Sequence, residues 1–254
     1  MQLLGRRELE AINRTSLRYP LAVAEKDYFL ALVSKIIYDS PLRNKLIFKG
    51  GTALYHAHLP QLRFSEDLDF SSNTAPLTLD EVKTIFTDYD FLSVKKDYVS
   101  NATIKIERLQ FTGPLGQPNS MKMEIDFLQN VVLPPLELKY HNVYGVDTLV
   151  RVMDIREIVA EKIRAMNDRI RYRDFYDFTM ICQKLTVNLN EVIELVQKKE
   201  VRKTISSRNI LNNWQFVQQN KQAELAAIHY SEPLEDVVVT KQLQRLEFEE
   251  IRES

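Results

Sequence analysis

The chain has 254 residues, enough for one large or two modest domains, with the 44% apolar and 27% charged content of an ordinary folded globular protein. Six glycines argue against a low-complexity chain, and a net charge of −1 leaves no global positive field to attract nucleic acid. One cysteine, Cys182, permits no intrachain disulfide; with no apolar signal core at the N-terminus and no membrane-length apolar run, the expected location is cytoplasmic.

In chain order, apolar positions at helical spacing (Ala24, Tyr28, Ala31, Leu32, Ile36) predict a helix over 20–38. A short strand over 46–48 then runs through Gly50 and Gly51 into a helix over 52–58, and a second strand is expected over 63–70. Thr78 and Glu81 form the Thr-x-x-Glu pattern of a capping box and start a helix reaching Tyr89. Strands are expected over 91–96, 103–111 and 121–128, with a turn made by 113–116 and by Pro118-Asn119, and a short strand near 138–143. From Asp154 the texture becomes helical, with spans predicted over 155–168, 173–184, 189–200, 207–225 and 234–251. The division is an α+β half over 1–150 and a helical half over 151–254.

Chemistry concentrates in two neighbouring segments. Phe48-Lys49-Gly50-Gly51-Thr52 presents a glycine pair before a helix, and its backbone N–H groups can face a phosphate. Arg63-Phe64-Ser65-Glu66-Asp67-Leu68-Asp69-Phe70 presents two carboxylates at i and i+2, which alternate to one face of a strand while Leu68 and Phe70 face the core. Two carboxylates side by side repel, so such a pair commonly serves a divalent cation. Alone, the glycines read as a tight turn and the acids as a solvated strand edge. In this order and at this spacing they equip a phosphoryl- or nucleotidyl-transfer site.

These two segments resemble the nucleotide-binding core of polymerase-β-like nucleotidyltransferases, and more narrowly the AbiEii/AbiGii-type toxins, which include the MenT-like tRNA-modifying toxins. A second block, Ala160-Glu161-Lys162-Ile163-Arg164-Ala165-Met166 followed by Arg169 and by Arg173-Asp174-Phe175-Tyr176-Asp177-Phe178, is similar to the other signature of that family. The resemblance runs from about Glu25 to Leu185. It implies a mixed sheet with flanking helices followed by a C-terminal helical domain completing the active site. It also implies Mg²⁺ at Asp67 and Asp69, phosphate binding by Gly50, Gly51 and Thr52, and a lysine, Lys162, that meets the nucleotide phosphates. The implied activity is transfer of nucleotides from NTP to an RNA acceptor, the 3′ end of tRNA, blocking translation in a toxin–antitoxin or phage-defence system. A cognate antitoxin is the implied partner, and no membrane is involved.

By itself Lys162 reads as a solvated helical charge, and Asp177, one turn inside its helix, needs another explanation: holding Lys162 or Arg169, or receiving the acceptor proton. Ser65 and Arg63 share the Asp67 face of the strand over 63–70 and are candidates for phosphate contact. A third carboxylate for the cation, Asp126 or Glu124, lies on an alternating strand where sequence does not rank the two; Asp126 is carried as the candidate. Lys198, Lys199, Arg202, Lys203, Arg208 and Lys221, near Trp214 and Phe216, form either an RNA-binding patch or a solvated helix face. The alternatives are a small-molecule nucleotidyltransferase of the antibiotic-modifying kind and a non-catalytic nucleotide or RNA sensor.

Overall fold

The computed structural model describes residues 1–72, 76–199 and 201–252. It divides into two compact units: one of residues 1–60, 65–128 and 135–152, the other of residues 61–64, 129–134 and 153–254.

The first unit opens with α1 (Arg6–Thr15) and α2 (Leu21–Asp39). Its strands are β1 (Ile47–Lys49), β2 (Asp67–Ser71), β3 (Leu92–Val99), β4 (Thr103–Thr112), β5 (Pro118–Asp126), β6 (Leu136–Lys139) and β7 (Leu149–Val152). They form one sheet in the order β3-β4-β5-β2-β1-β7-β6. It is mixed: β1 pairs β2 antiparallel and β7 parallel, and β2 pairs β5 parallel. The predicted helix face is buried in full, since Ala24, Tyr28, Ala31, Leu32 and Ile36 all have 3% exposure or less. Here α2 packs on β5 and β7. Alternation divides the sheet into an apolar face, with Leu68, Phe70, Ile104, Ile106, Met123 and Ile125 buried, and a polar face carrying Asp67, Asp69, Lys105, Lys122 and Glu124. Phe48 stacks on its register partner Phe70 with centroids 5.3 Å apart, joining β1 and β2 on the apolar side.

Between β1 and β2 lies α3 (Gly50–Ala53), continued by a π-helical turn over Leu54–His58. The predicted capping box forms at the start of α4 (Leu79–Thr84): Thr78 Oγ1 accepts from Glu81 N–H and the Glu81 carboxylate accepts from Thr78 N–H. That helix stops short of Tyr89 because the chain tightens into i→i+3 bonds at Phe86, Thr87 and Tyr89. The predicted turn at Pro118-Asn119 is instead the beginning of β5. Pro118 heads the strand opposite Thr112, where a missing N–H is tolerated. The sequence reading assigned no element to α1 or β7.

The second unit contains α5 (Ile155–Asp168), α6 (Tyr172–Lys184), α7 (Leu189–Lys198), α8 (Ser207–Asn220), α9 (Gln222–Ala227) and α10 (Asp236–Leu243). Within it α5 packs against α6, α7 and α8, and α10 against α6 and α8. The expected helix over 207–225 breaks at Lys221 into α8 and α9, and the one expected over 234–251 ends at Leu243. Beyond it, Ile251 is drawn into an antiparallel bridge with Ile205, with backbone bonds of 2.9 and 2.8 Å, which a helix could not supply. The expected helix end at Glu200 lies outside the described residues. No helix among the described residues is long and apolar enough to cross a membrane.

Candidate active site

The carboxylate pair stands where alternation places it. Asp67 and Asp69 leave β2 on the polar face, both half-buried, while Leu68 and Phe70 are fully buried. The glycine turn is fitted to them. Gly50 has φ +77°, a left-handed conformation, and a Cβ there would stand 2.5 Å from Asp69 Oδ2. Glycine is required at 50 on both counts, because its missing side chain lets the Asp69 carboxylate close on the backbone. Thr52 is completely buried, and its hydroxyl donates to the Asp67 carbonyl at 2.5 Å, tying α3 to β2. The Thr52 hydroxyl therefore has an internal partner.

Register extends the site across the sheet. Lys49, Asp69, Glu124, Lys105 and Tyr98 are successive partners on β1, β2, β5, β4 and β3, and so form one transverse row on one face. Asp67 partners Lys122. Asp67, Asp69, Lys96, Lys105, Glu107, Arg108, Lys122 and Glu124 line a cleft of about 570 Å³. A β-bulge contributes to this lining. The β4–β5 register slips between Ile106 and Leu109, both buried, so the consecutive residues Glu107 and Arg108 both face the cleft. Of the two candidates for a third carboxylate, Glu124 lines the cleft beside Asp69 and pairs with Lys105 at 3.0 Å. Asp126 accepts from Leu128 N–H at 2.8 Å and pairs with Lys49 at 3.1 Å. Lys49 was missed in the sequence; its signal was its place immediately before the glycines.

Ser65 and Arg63 do not share the strand with Asp67, because β2 begins at Asp67. Ser65 lies in the irregular approach, half-buried. Arg63, expected on a strand facing phosphate, bridges Tyr230 within the helical unit, where its guanidinium meets Asp177 through two 2.7 Å bonds. A bidentate buried carboxylate overrides the alternation that the sequence suggested.

That pair belongs to a network inside the helical unit. Lys162 on α5 is 7% exposed, with its Nζ 2.6 Å from Asp177 and 3.2 Å from Asp174 on α6; Arg169 reaches Asp174 at 2.7 and 2.9 Å. Burial raises the cost of ionising Asp177, yet Arg63 and Lys162 prevail and hold its carboxyl far below the usual range. Asp174 is likewise depressed, by Lys162 and Arg169 acting against burial. Lys162 is therefore a paired interior cation, whereas helical patterning alone made it a surface charge. The expected basic patch over 198–221 also divides. Lys199 is 4% exposed and bonds Glu157 at 2.6 Å and the Asn130 carbonyl at 2.8 Å. Trp214 is buried with its indole N–H on Thr240, and Lys221 pairs with Asp236, so these three are structural rather than an RNA-facing strip.

The donor set suits a hard divalent cation. Two carboxylates share one face beside an open cleft, and no group of three or more His, Cys, Asp or Glu side chains able to hold a metal is found among the described residues. Asp67 and Asp69 would hold such an ion with water and substrate oxygens completing its shell, as Mg²⁺ prefers.

Residues 31–253 match the profile of the family described as nucleotidyl transferase AbiEii toxin, Type IV TA system. Among solved structures, MenT4, a nucleotidyltransferase toxin from Mycobacterium tuberculosis H37Rv, superposes with a TM-score of 0.68 at 19% identity, covering 94% of this chain and 89% of that one. JHP933 from Helicobacter pylori gives 0.55 at 16% identity, covering 88% and 93%. These likenesses establish a shared fold. No curated protein matches significantly by sequence. The chain belongs to the AbiEii nucleotidyltransferase toxin family, and is an NTP-dependent nucleotidyltransferase of the toxin–antitoxin type.

Proposed function

We propose that this toxin transfers nucleotides from NTP to an RNA acceptor, the 3′ end of tRNA, with Mg²⁺ held at Asp67 and Asp69, and so blocks translation until its antitoxin counters it. The observation that carries the reading is the fit between the acid pair and the turn before it: Asp69 closes on Gly50, in a position only glycine can occupy. In the reaction an acceptor hydroxyl oxygen bonds to the α-phosphorus, the bond to the bridging oxygen breaks so that pyrophosphate leaves, and the hydroxyl proton passes to solvent water. When bound, the cation supplies positive charge against the phosphate oxygens. Asp67 and Asp69 fix its place, the Gly50 turn allows close approach of backbone N–H groups to phosphate, and Glu124 is the neighbouring carboxylate in reach of the same cleft. Lys162 and Asp177 are retained as residues needed for activity on the strength of the family resemblance, and their mutual ion pair makes them act together.

Incubation of the protein with each α-labelled NTP, total RNA and Mg²⁺ tests this directly. Label is expected in RNA of tRNA size, with chelator removing it. Label confined to small molecules would transfer the reading to a small-molecule acceptor, and no incorporation from any NTP would overturn it.

A further inference from the structure

The polar face of the sheet continues beyond the acid pair, and resting on the transfer reading above, we infer that strands β5, β4 and β3 form the track on which a single-stranded RNA acceptor lies. The row from Lys49 through Asp69, Glu124 and Lys105 ends at Tyr98 on β3, the edge strand. With strands about 4.8 Å apart, Tyr98 stands about 14 Å from Asp69. Tyr98 is 51% exposed and is the register partner of the cleft-lining Lys105, one strand beyond it. An exposed aromatic at the end of a basic groove is a stacking platform for a nucleobase, and stacking tolerates any base.

The charges support the same occupant. With Asp67 and Asp69 assigned to a cation, the cleft retains Lys96, Lys105, Arg108 and Lys122 against Glu107 and Glu124. Neither Arg108 nor Lys122 has an ion-pair partner among the described residues. Lys96 and Lys105 pair with Glu107 and Glu124 at 2.5 and 3.0 Å, but with 37–69% of the lysine side chains exposed. Exposed pairs of this kind contribute little, so a phosphate can replace the carboxylate. The bulge keeps Ile106 and Leu109 both buried on the apolar side and in doing so turns both Glu107 and Arg108 into the cleft.

Direction distinguishes acceptor from nucleotide. The glycine turn follows β1, on one flank of the acid pair, while the bases and Tyr98 occupy β5, β4 and β3 on the other. In phosphoryl transfer the leaving pyrophosphate and the attacking hydroxyl lie on opposite sides of the reacting phosphorus. If phosphates take the glycine flank, the acceptor takes the β5–β3 flank.

Binding of a short 5′-fluorescein-labelled single-stranded RNA, followed by anisotropy over a series of salt concentrations and without NTP, tests this. The variant Lys96→Gln/Arg108→Gln is expected to raise Kd roughly tenfold and to flatten the log K against log salt slope by about 0.7 per lost phosphate contact. Tyr98→Ala is expected to weaken binding roughly tenfold with an unchanged slope, and Tyr98→Phe to restore it. Circular dichroism and thermal melts confirm folding of each variant. Unchanged Kd and slope in both variants would overturn the inference, as would weakened binding of NTP or of a protein partner with RNA binding intact. Wild-type protein that binds this RNA with the expected salt slope yet never labels RNA from NTP would sink the transfer reading and leave the track standing.

Discussion

The sheet unit and the helical unit both gather charge, in opposite ways. On the sheet, Asp67, Asp69, Glu124, Lys105, Lys122 and Arg108 line an open cleft, and the pairs between them are exposed. In the helical unit, Arg63, Lys162 and Arg169 meet Asp174 and Asp177, carboxylates with no exposure at all. A charge in an open cleft keeps most of its hydration and can exchange partners, so it suits a ligand that comes and goes. A buried ion pair has lost its water, and removing one member strands the other. The first arrangement is selected for binding, the second for fixed geometry, and substitution should separate activity from stability accordingly.

The largest effect is expected at the acid pair. Asp69→Ala or Asp67→Ala should reduce nucleotide transfer by a factor of about 10³ or more, equivalent to roughly 4 kcal/mol of barrier, with the fold retained in circular dichroism. A folded variant with wild-type turnover at saturating Mg²⁺ would remove the pair from the chemistry. Next is the buried network. Asp177→Asn leaves the Arg63 and Lys162 cations without one counter-charge and should cost about 3–5 kcal/mol, lowering Tm by roughly 6–20 °C. An unchanged melt would show the network to be hydrated and dissolve the contrast between the units. Because Lys162 and Asp177 are in contact, the double variant Lys162→Met/Asp177→Asn should cost less than the sum of its parts, in stability and in transfer.

Gly50→Ala combines a positive φ with a 2.5 Å approach to Asp69, and should cost about 1–3 kcal/mol while displacing the carboxylate enough to lower transfer as well. Full activity with normal stability would break the link between turn and acid pair. Acid titration gives a smaller, gradual effect. Asp174 and Asp177 have depressed folded-state values, so the unfolded chain takes up protons first as pH falls. Their stabilisation is complete above the ordinary Asp value of about 3.9 and is lost below it as pH drops towards the folded values. Urea midpoints from pH 7 down to pH 5 should therefore show no pH dependence from this pair, whose stabilisation is constant over that range, and the wild-type and Asp177→Asn curves should converge only in stronger acid. Smallest is Lys105→Gln on the sheet. It breaks an exposed pair with Glu124 and should move stability by less than about 0.5 kcal/mol, a shift that a melt can bound.

Much of the site was legible because its chemistry is local. Gly50, Asp67 and Asp69 lie within one strand–turn–strand stretch, where period-two alternation and the glycine conformational rule work without knowledge of the rest of the chain. The capping box at Thr78 and the bounds of α5 were legible for the same reason. Arg63 was misplaced because its partner, Asp177, is 114 residues away, and an ion pair of that separation leaves no trace in either local pattern. Lys199 failed similarly: in a row of basic residues it looks solvated, and only its contact with Glu157 reveals it as interior.

The sequence by itself determined the α+β class, the alternating faces of β2 and β5, and the pairing of a glycine turn with two carboxylates, since each follows from backbone geometry over a few residues. Tertiary structure alone decided that Glu124 is the register partner of Asp69 while Asp126 pairs with Lys49, that a bulge turns Arg108 into the cleft, and that Lys162 is buried between two aspartates. Strand register and burial depend on which distant segments meet, and the free energy of a charge depends on whether that meeting leaves it in water.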